Sequence, residues 1–376
     1  MTTGFLWEIG PTRVYLIWIV VFLAQIVVAE INRRWNWTIF VFWTGIGIAL
    51  MPYAWIVGAP IFGWFPFGKY VLMVATATMT GALLVYGKRH PTKAHRYAFW
   101  FGVLLWIGLV SNIMEANIRD ITIYFNADTY YACAANWECL KQINDTHAAD
   151  MIAGLPEARG ITETLHSQAW YEAVAANFQA RHIGIDPETG FRTIGGYWNL
   201  MSALAGLLNC ITVTGLGRII VTSPGKKKTR GLLWVDQVWP WIIAYDLWNH
   251  AFLYNALADY TWYCTLALLL ACTIPVFFAF GRGAWIQYRA YTLTFWSAIV
   301  LTFPHFSQDS MFSLRSAHNP TAMFWVSFAA LAFNLGLFVF HVLRIVRTRR
   351  NPCTQELWAP EVAVEDGAVR EVSKVA

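Results

Sequence analysis

Residues 234–259 read WVDQVWPWIIAYDLWNHAFLYNALAD. A run of that length and apolarity suits a membrane-crossing helix, which needs about 20 residues for a hydrocarbon layer of ~30 Å. Yet Asp246 lies near its middle, with Asn249 and His250 one helical turn further on. At about 100° per residue, Asp246, Asn249, His250, Leu253 and Leu257 share one side of the helix. An ionisable group at such depth costs about 3 kcal/mol or more unless it faces protein or water, so it marks a candidate functional site.

The rest of the chain fits the same setting. Of 376 residues, 57% are hydrophobic and only 13% charged, whereas soluble domains carry nearer a quarter. The reading is an all-α, polytopic membrane helix bundle. Its 21 Trp, 25 Phe and 16 Tyr suit rings that anchor spans at both interfaces. The net charge of +5 falls in short clusters between apolar runs, which is an orientation pattern and not a nucleic-acid footprint. The expected partner is therefore the lipid bilayer, with no nucleic acid.

Nine stretches qualify as spans, over 14–30, 35–57, 70–87, 97–118, 196–221, 232–255, 260–280, 289–304 and 322–343. Pro52, Pro240 and Pro275 fall inside them and predict kinks. The residues before the first run lack a signal peptide's positive start and cleavage site, so that span is expected to persist. Arg33 and Arg34, Lys88 to Arg96, Lys226 to Arg230, Arg282 and Arg289, and Arg344 to Arg350 all fall on one side of an alternating nine-span path. The positive-inside bias then places the N-terminus outside and the C-terminus in the cytoplasm.

The chain divides into spans one to four (1–118), an outer polar insertion (119–195), spans five to nine (196–350) and a tail (351–376) whose composition predicts disorder. Within the insertion, residues 161–182 place Leu165, Ala169, Val174 and Phe178 at helical spacing, predicting one amphipathic helix. Loops this long commonly cap or bind something, and a protein partner could dock there. Cys133 and Cys139 share the insertion; they are either a disulfide or two unpaired small residues.

Each polar group has a bland reading beside its functional one. Asp246 and His250 are i,i+4 neighbours, so a carboxylate–imidazole contact is easy, and it could carry protons, bind a cation or orient a general base. Asp236 suits a helix start beside a basic loop, and Asp259 suits the hydrated outer interface. Asn112, Glu115 and Arg119 lie on one face of span four, with Glu115 and Arg119 spaced to pair as a structural bridge or a catalytic couple. Asn209 and Asn334 are either substrate ligands or interhelical hydrogen bonds. His305 and Asp309 match a metal pair, though a solvated loop explains them as simply. Walker A, G-x-S-x-G, H-E-x-x-H and C-x-x-C patterns are absent, and no cofactor or metal is expected.

GLLNCITVTG (206–215), WIIAYDLWNHAFLYNALADYTWYCTLALLLACTIP (241–275), GAWIQYRAYTLTFW (283–296) and SNIMEANIRD (111–120) together resemble a bacterial multi-span inner-membrane family catalogued as a domain of unknown function. The resemblance implies the membrane class and brings no activity. Three functional readings stay open. The first is a transporter or permease for a small polar solute, coupled through Asp246 and His250. The second is a membrane-embedded enzyme on a lipid or lipid-linked substrate, with His250 as base. The third is a non-catalytic membrane subunit.

Overall fold

A computed structural model describes residues 4–62, 64–147, 152–215, 219–221, 231–234, 239–278, 284–303, 306, 310–353, 355, 357, 362–365 and 368–371. Asp236, His305, Asp309 and the lysines at 226–228 lie outside the described residues.

Among the described residues, six helices are long and apolar enough to cross a membrane: α1 (Thr12–Arg34), α2 (Phe40–Gly58), α3 (Trp64–Gly87), α4 (Pro91–Phe125), and, after the insertion, α10 (Ala258–Phe277) and α12 (Pro320–Thr348). Pro52 inside α2 lacks the N–H that a regular ladder needs. Helix α2 accordingly begins and ends in wide π turns, Phe40–Gly45 and Ala54–Gly58. Helix α12 starts cleanly because Pro320 needs no partner and the Asn319 side chain accepts the Thr321 N–H.

Three more helices, α8 (Tyr197–Ile211), α9 (Trp239–Ala256) and α11 (Trp285–Thr302), form the interior. Thirteen of the 18 residues of α11 are buried, against five of the 23 in α1. Helix α8 packs on α4, α9 and α12, while α11 packs on α3 and α10.

These interior helices correct the sequence boundaries. The stretch 196–221 is helical only to Ile211; the chain turns at Gly215, with φ of 72°, and becomes strand β3 (Ile219–Val221). The stretch 232–255 opens as strand β4 (Leu232–Trp234), paired antiparallel with β3. At ~1.5 Å per residue, the 15 residues of α8 reach about 22 Å, and the turn at Gly215 carries the chain on into the hairpin. Apolar composition cannot separate a helix from a buried hairpin that continues it.

Close approach in this core depends on small residues. A Cβ on Gly206 of α8 would fall on the hydrogen bond in which Trp248 Nε1 of α9 donates to Asn117 Oδ1 of α4, 3.1 Å long. Three helices thus meet at one glycine.

The insertion is a folded cap. It contains α5 (Ala127–Ala134), α6 (Trp137–His147), α7 (Gln168–Ala180) and a hairpin of β1 (Gly184–Ile185) with β2 (Arg192–Thr193). The amphipathic pattern of 161–182 finds one of these three helices. Ser167 caps α7 and accepts the Trp170 N–H, whereas Leu165 stays exposed outside the helix. Cys133 and Cys139, joined in a disulfide, tie α5 to α6. Leu140, Ile143, Val174, Phe178 and Ile185 form a separate core that also takes in Tyr254 of α9 and Met323 of α12. In the tail, β5 (Val362–Glu365) pairs with β6 (Ala368–Glu371), where composition predicts no structure.

Connections gather in two groups. At one end Trp7 bridges to Ser316, the Glu8 N–H donates to the Arg315 carbonyl, and Arg315 donates to the Gly154 carbonyl. At the other, the Leu232 N–H donates to Gln287 Oε1, and the Gly215 N–H to the Pro352 carbonyl.

Candidate functional site

Asp246 and His250 lie on α9 but do not pair. Helix α10 offers each of them a threonine. Thr273 Oγ1 donates to Asp246 Oδ2 at 2.7 Å, and Thr273 in turn accepts from Trp285 Nε1 of α11 at 3.1 Å. His250 Nδ1 lies 2.9 Å from Thr265 Oγ1. Because the Thr265 hydroxyl already donates to the Thr261 carbonyl at 2.7 Å, Nδ1 must carry the proton toward it. The expected carboxylate–imidazole couple is thus replaced by two separate bonds, since an adjacent helix brings a hydroxyl closer to each than they are to one another. Asp246 Oδ1 is left buried with no hydrogen-bond partner. Asn249 donates weakly to Tyr245 Oη, at 3.4 Å.

The other expected pair is also re-partnered. Glu115 of α4 accepts from Lys69 of α3 at 2.8 Å, and not from Arg119. Arg119 turns toward the cap, 4.0 Å from Asp186, and covers the Phe191 ring at 5.1 Å. Helical spacing permits the Glu115–Arg119 bridge, but a lysine arriving from α3 is what the packing supplies. Asn209 and Asn334 bond to each other between helices: Asn209 Nδ2 donates to Asn334 Oδ1 at 3.3 Å, and Asn334 Nδ2 donates to the Ala244 and Ala330 carbonyls.

Asn112 belongs to a different site, a cavity of about 840 Å³ between α3 and α4 floored by Tyr245 of α9 and Arg289 of α11. Its walls are mainly Leu, Met, Phe and Ile, with Lys69, Thr76, Ser111 and Asn112 as polar additions. Leu72, Leu104 and Ile107 lie mid-helix, about half exposed, and form its mouth. The cavity therefore opens sideways, through the flank of the bundle. Gly68 and Gly108 line it, and a Cβ on either would meet nothing within 4 Å.

Arg289 is the residue that sequence reading missed. Its charge fits the flanking cluster after α10, yet it lies within α11 and is 4% exposed. Nη2 donates to Tyr245 Oη at 2.8 Å, Nη1 reaches the Leu268 carbonyl at 3.3 Å, and the guanidinium lies over the Tyr245 ring. Its Nε has no partner, and no carboxylate among the described residues lies within ion-pair distance. The available signal was the aromatic setting WIQYRAY, unlike the polar loops that hold the other arginine clusters.

A second polar centre joins cap to bundle. Arg192 of β2 donates from Nη1 to both oxygens of Glu157, and from Nε and Nη2 to Asp259. Asp259, expected to be hydrated, is instead held in this cluster with its side chain 14% exposed. Arg181 adds a 3.3 Å bond to Glu157, and Arg315 lies 3.9 Å from Asp259. Burial alone would lower the Arg192 pKa, but Asp259 and Glu157 outweigh it and raise it above its ordinary value.

The fold and its laterally open cavity define a helical-bundle membrane protein. Residues 164–367 match the family described as "Family of unknown function (DUF5692)", and the chain belongs to that family. The match takes in Asp246, His250, Arg289, Arg192 and Asp259, and leaves out Glu157 and α1 to α4. No curated protein and no solved structure matches the chain.

Proposed function

We propose that this chain is a multi-pass inner-membrane transporter for a lipid-like amphiphile with an acidic headgroup, taken up from the bilayer through the cavity between α3 and α4. One observation carries the reading: Arg289 is buried in the floor of a mainly apolar, sideways-opening cavity, with no carboxylate among the described residues within ion-pair distance. A guanidinium in such a place suits a carboxylate or phosphate ester whose tail lies among the Leu and Met side chains. The Lys69–Glu115 pair and Asn112 supply further polar contacts near the mouth.

This narrows the solute from small and polar to amphipathic. Coupling to protons through Asp246 remains a second reading, favoured by its unpartnered Oδ1. An enzyme with His250 as base and Asp246 as orienter loses support, because the two side chains are bonded apart. The topology proposed with it is nine crossings, N-terminus outside and C-terminus cytoplasmic, supported by the two groups of connections. In intact cells a membrane-impermeant thiol reagent then fails to label Cys353, which is exposed in the fold; labelling from outside overturns the orientation.

The binding test uses nanodisc-embedded protein and a photoreactive fatty acid. Crosslinks are expected on α3 and α4, competed by oleate. Gly108→Phe fills the cavity where there is room for a side chain, and should remove at least nine-tenths of the labelling without lowering Tm. Equal labelling of Gly108→Phe and wild type rejects the site.

A further inference from the structure

Where the cap meets the bundle there is a second cavity, of about 570 Å³, quite unlike the first. Arg159, Arg181, Arg192, Glu8, Ser316 and His318 line it. Three guanidiniums line it and Arg315 lies 3.9 Å from Asp259, so these four cations stand against the three carboxylates Glu8, Glu157 and Asp259 and positive charge is in excess.

The arginines are not equivalent. Arg192 has Nε, Nη1 and Nη2 all committed to Glu157 and Asp259, so it contributes field and no free donor. Arg181 spends only Nη1 on Glu157 and is 52% exposed. Arg159 is exposed and makes no ion pair among the described residues. His318 is 6% exposed, its Nδ1 lies 3.4 Å from the Ser316 carbonyl, and its Nε2 is buried without a hydrogen-bond partner.

We propose that this cavity binds the oxyanion of a small solute, a phosphate or carboxylate, gripped by Arg159 and Arg181 with His318 at its inner wall. Each free guanidinium edge offers two parallel donors matched to such an anion. In the neutral ring, Nδ1–H points to Ser316 and leaves Nε2 a lone pair. Holding an anion oxygen there requires a proton, taken from solution or brought by the ligand's own hydroxyl.

The groups facing His318 are Arg192, Arg181 and Arg159 on one side, Glu8, Glu157 and Asp259 on the other, with Tyr254 of α9, whose hydroxyl donates to the Leu6 carbonyl. Burial, and next the Arg192 charge, depress its proton affinity in the free protein. A bound oxyanion opposes both effects, so affinity rises as pH falls. This site stands independently of the lateral cavity and of what that cavity binds.

The test titrates inorganic phosphate, and separately succinate, into the full-length protein in nanodiscs by calorimetry at pH 6 and pH 8. Saturable binding of at least one probe, tighter at pH 6, is expected. The exposed pair R159Q/R181Q should weaken it at least tenfold while keeping Tm within a few degrees of wild type without ligand, because Arg192 still holds Glu157. H318Q should abolish the difference between the two pH values. Phosphate binding alone assigns a phosphoryl ligand, and succinate alone a carboxylate. No saturable binding of either probe, or unchanged affinity in the double variant, overturns the proposal.

Discussion

Arg192 and Arg289 are the same residue type at the same 4% exposure, and they serve opposite ends. Arg192 sits where cap meets bundle with two carboxylates closed around its fork. Arg289 sits under the lateral cavity with a phenol, a carbonyl and an idle Nε. A buried charge that is fully answered holds structure together; one that is half answered is available to a ligand. Burial alone cannot tell the two apart, and partner chemistry can.

The largest effect should come from Arg192→Met. It leaves Glu157 and Asp259 with only the longer Arg181 and Arg315 contacts, and removing one member of a buried charge cluster typically costs about 3–5 kcal/mol. Thermal unfolding in nanodiscs should fall sharply, with proteolysis beginning in the cap. Arg289→Gln breaks no ion pair among the described residues; it gives up the bonds to Tyr245 and to the Leu268 carbonyl, each worth about 1 kcal/mol. It should keep its Tm within a few degrees and lose at least tenfold in amphiphile affinity. Were the two variants equally unstable, the contrast between structural and ligand-facing arginine would collapse.

The cap offers a second, smaller handle. Cys133 and Cys139 are six residues apart and close a short loop. Loop-closure entropy for that length gives about 2 kcal/mol. Mutating both to Ser should make α5 and α6 more accessible to protease, while Arg289-dependent binding persists. Loss of amphiphile binding in that variant would couple cap and cavity, which otherwise behave as separate regions.

Acidification should also act on the junction and spare the cavity. Burial, then Arg192, holds the His318 pKa below its ordinary value, so the unfolded chain binds the proton more readily. Stability is then complete above the ordinary histidine range, near pH ~6.5, and declines as pH falls through it toward the folded value. A Tm series from pH 7.5 to 5 should slope downward, and His318→Gln should flatten it. A flat wild-type series would mean that His318 is as easily protonated folded as unfolded.

How far this arrangement could be read in advance depends on what each residue answers to. The lipid-facing rods α1, α2 and α12 were legible because their side chains meet hydrocarbon, and composition reports that directly. Helices α8, α9 and α11 were legible as apolar stretches but not in their bounds, since their neighbours are protein and a buried β3–β4 hairpin reads the same way. The chosen helix face of α9 did hold polar groups in the interior. Its proposed internal pair failed because i,i+4 spacing says what can touch, whereas Thr265 and Thr273 on another helix decide what does. Lys69 with Glu115 and Arg192 with Asp259 are 46 and 67 residues apart, beyond any local pattern.

The smallest expected effect separates glue from ligand. Asn334 is as deeply buried as any residue in the bundle, and in sequence it is either a solute contact or an interhelical hydrogen bond. All its donors are engaged within the protein: both protons of its amide go to the Ala244 and Ala330 carbonyls, and its oxygen accepts from Asn209. Interhelical hydrogen bonds of this kind average about 0.6 kcal/mol in membranes, because the separated helices find other partners. Asn334→Leu should therefore lower stability by about 1 kcal/mol and leave amphiphile binding untouched. A tenfold loss of binding with unchanged Tm would place Asn334 beside the ligand and move the site from the α3–α4 flank to the α8–α9–α12 interior.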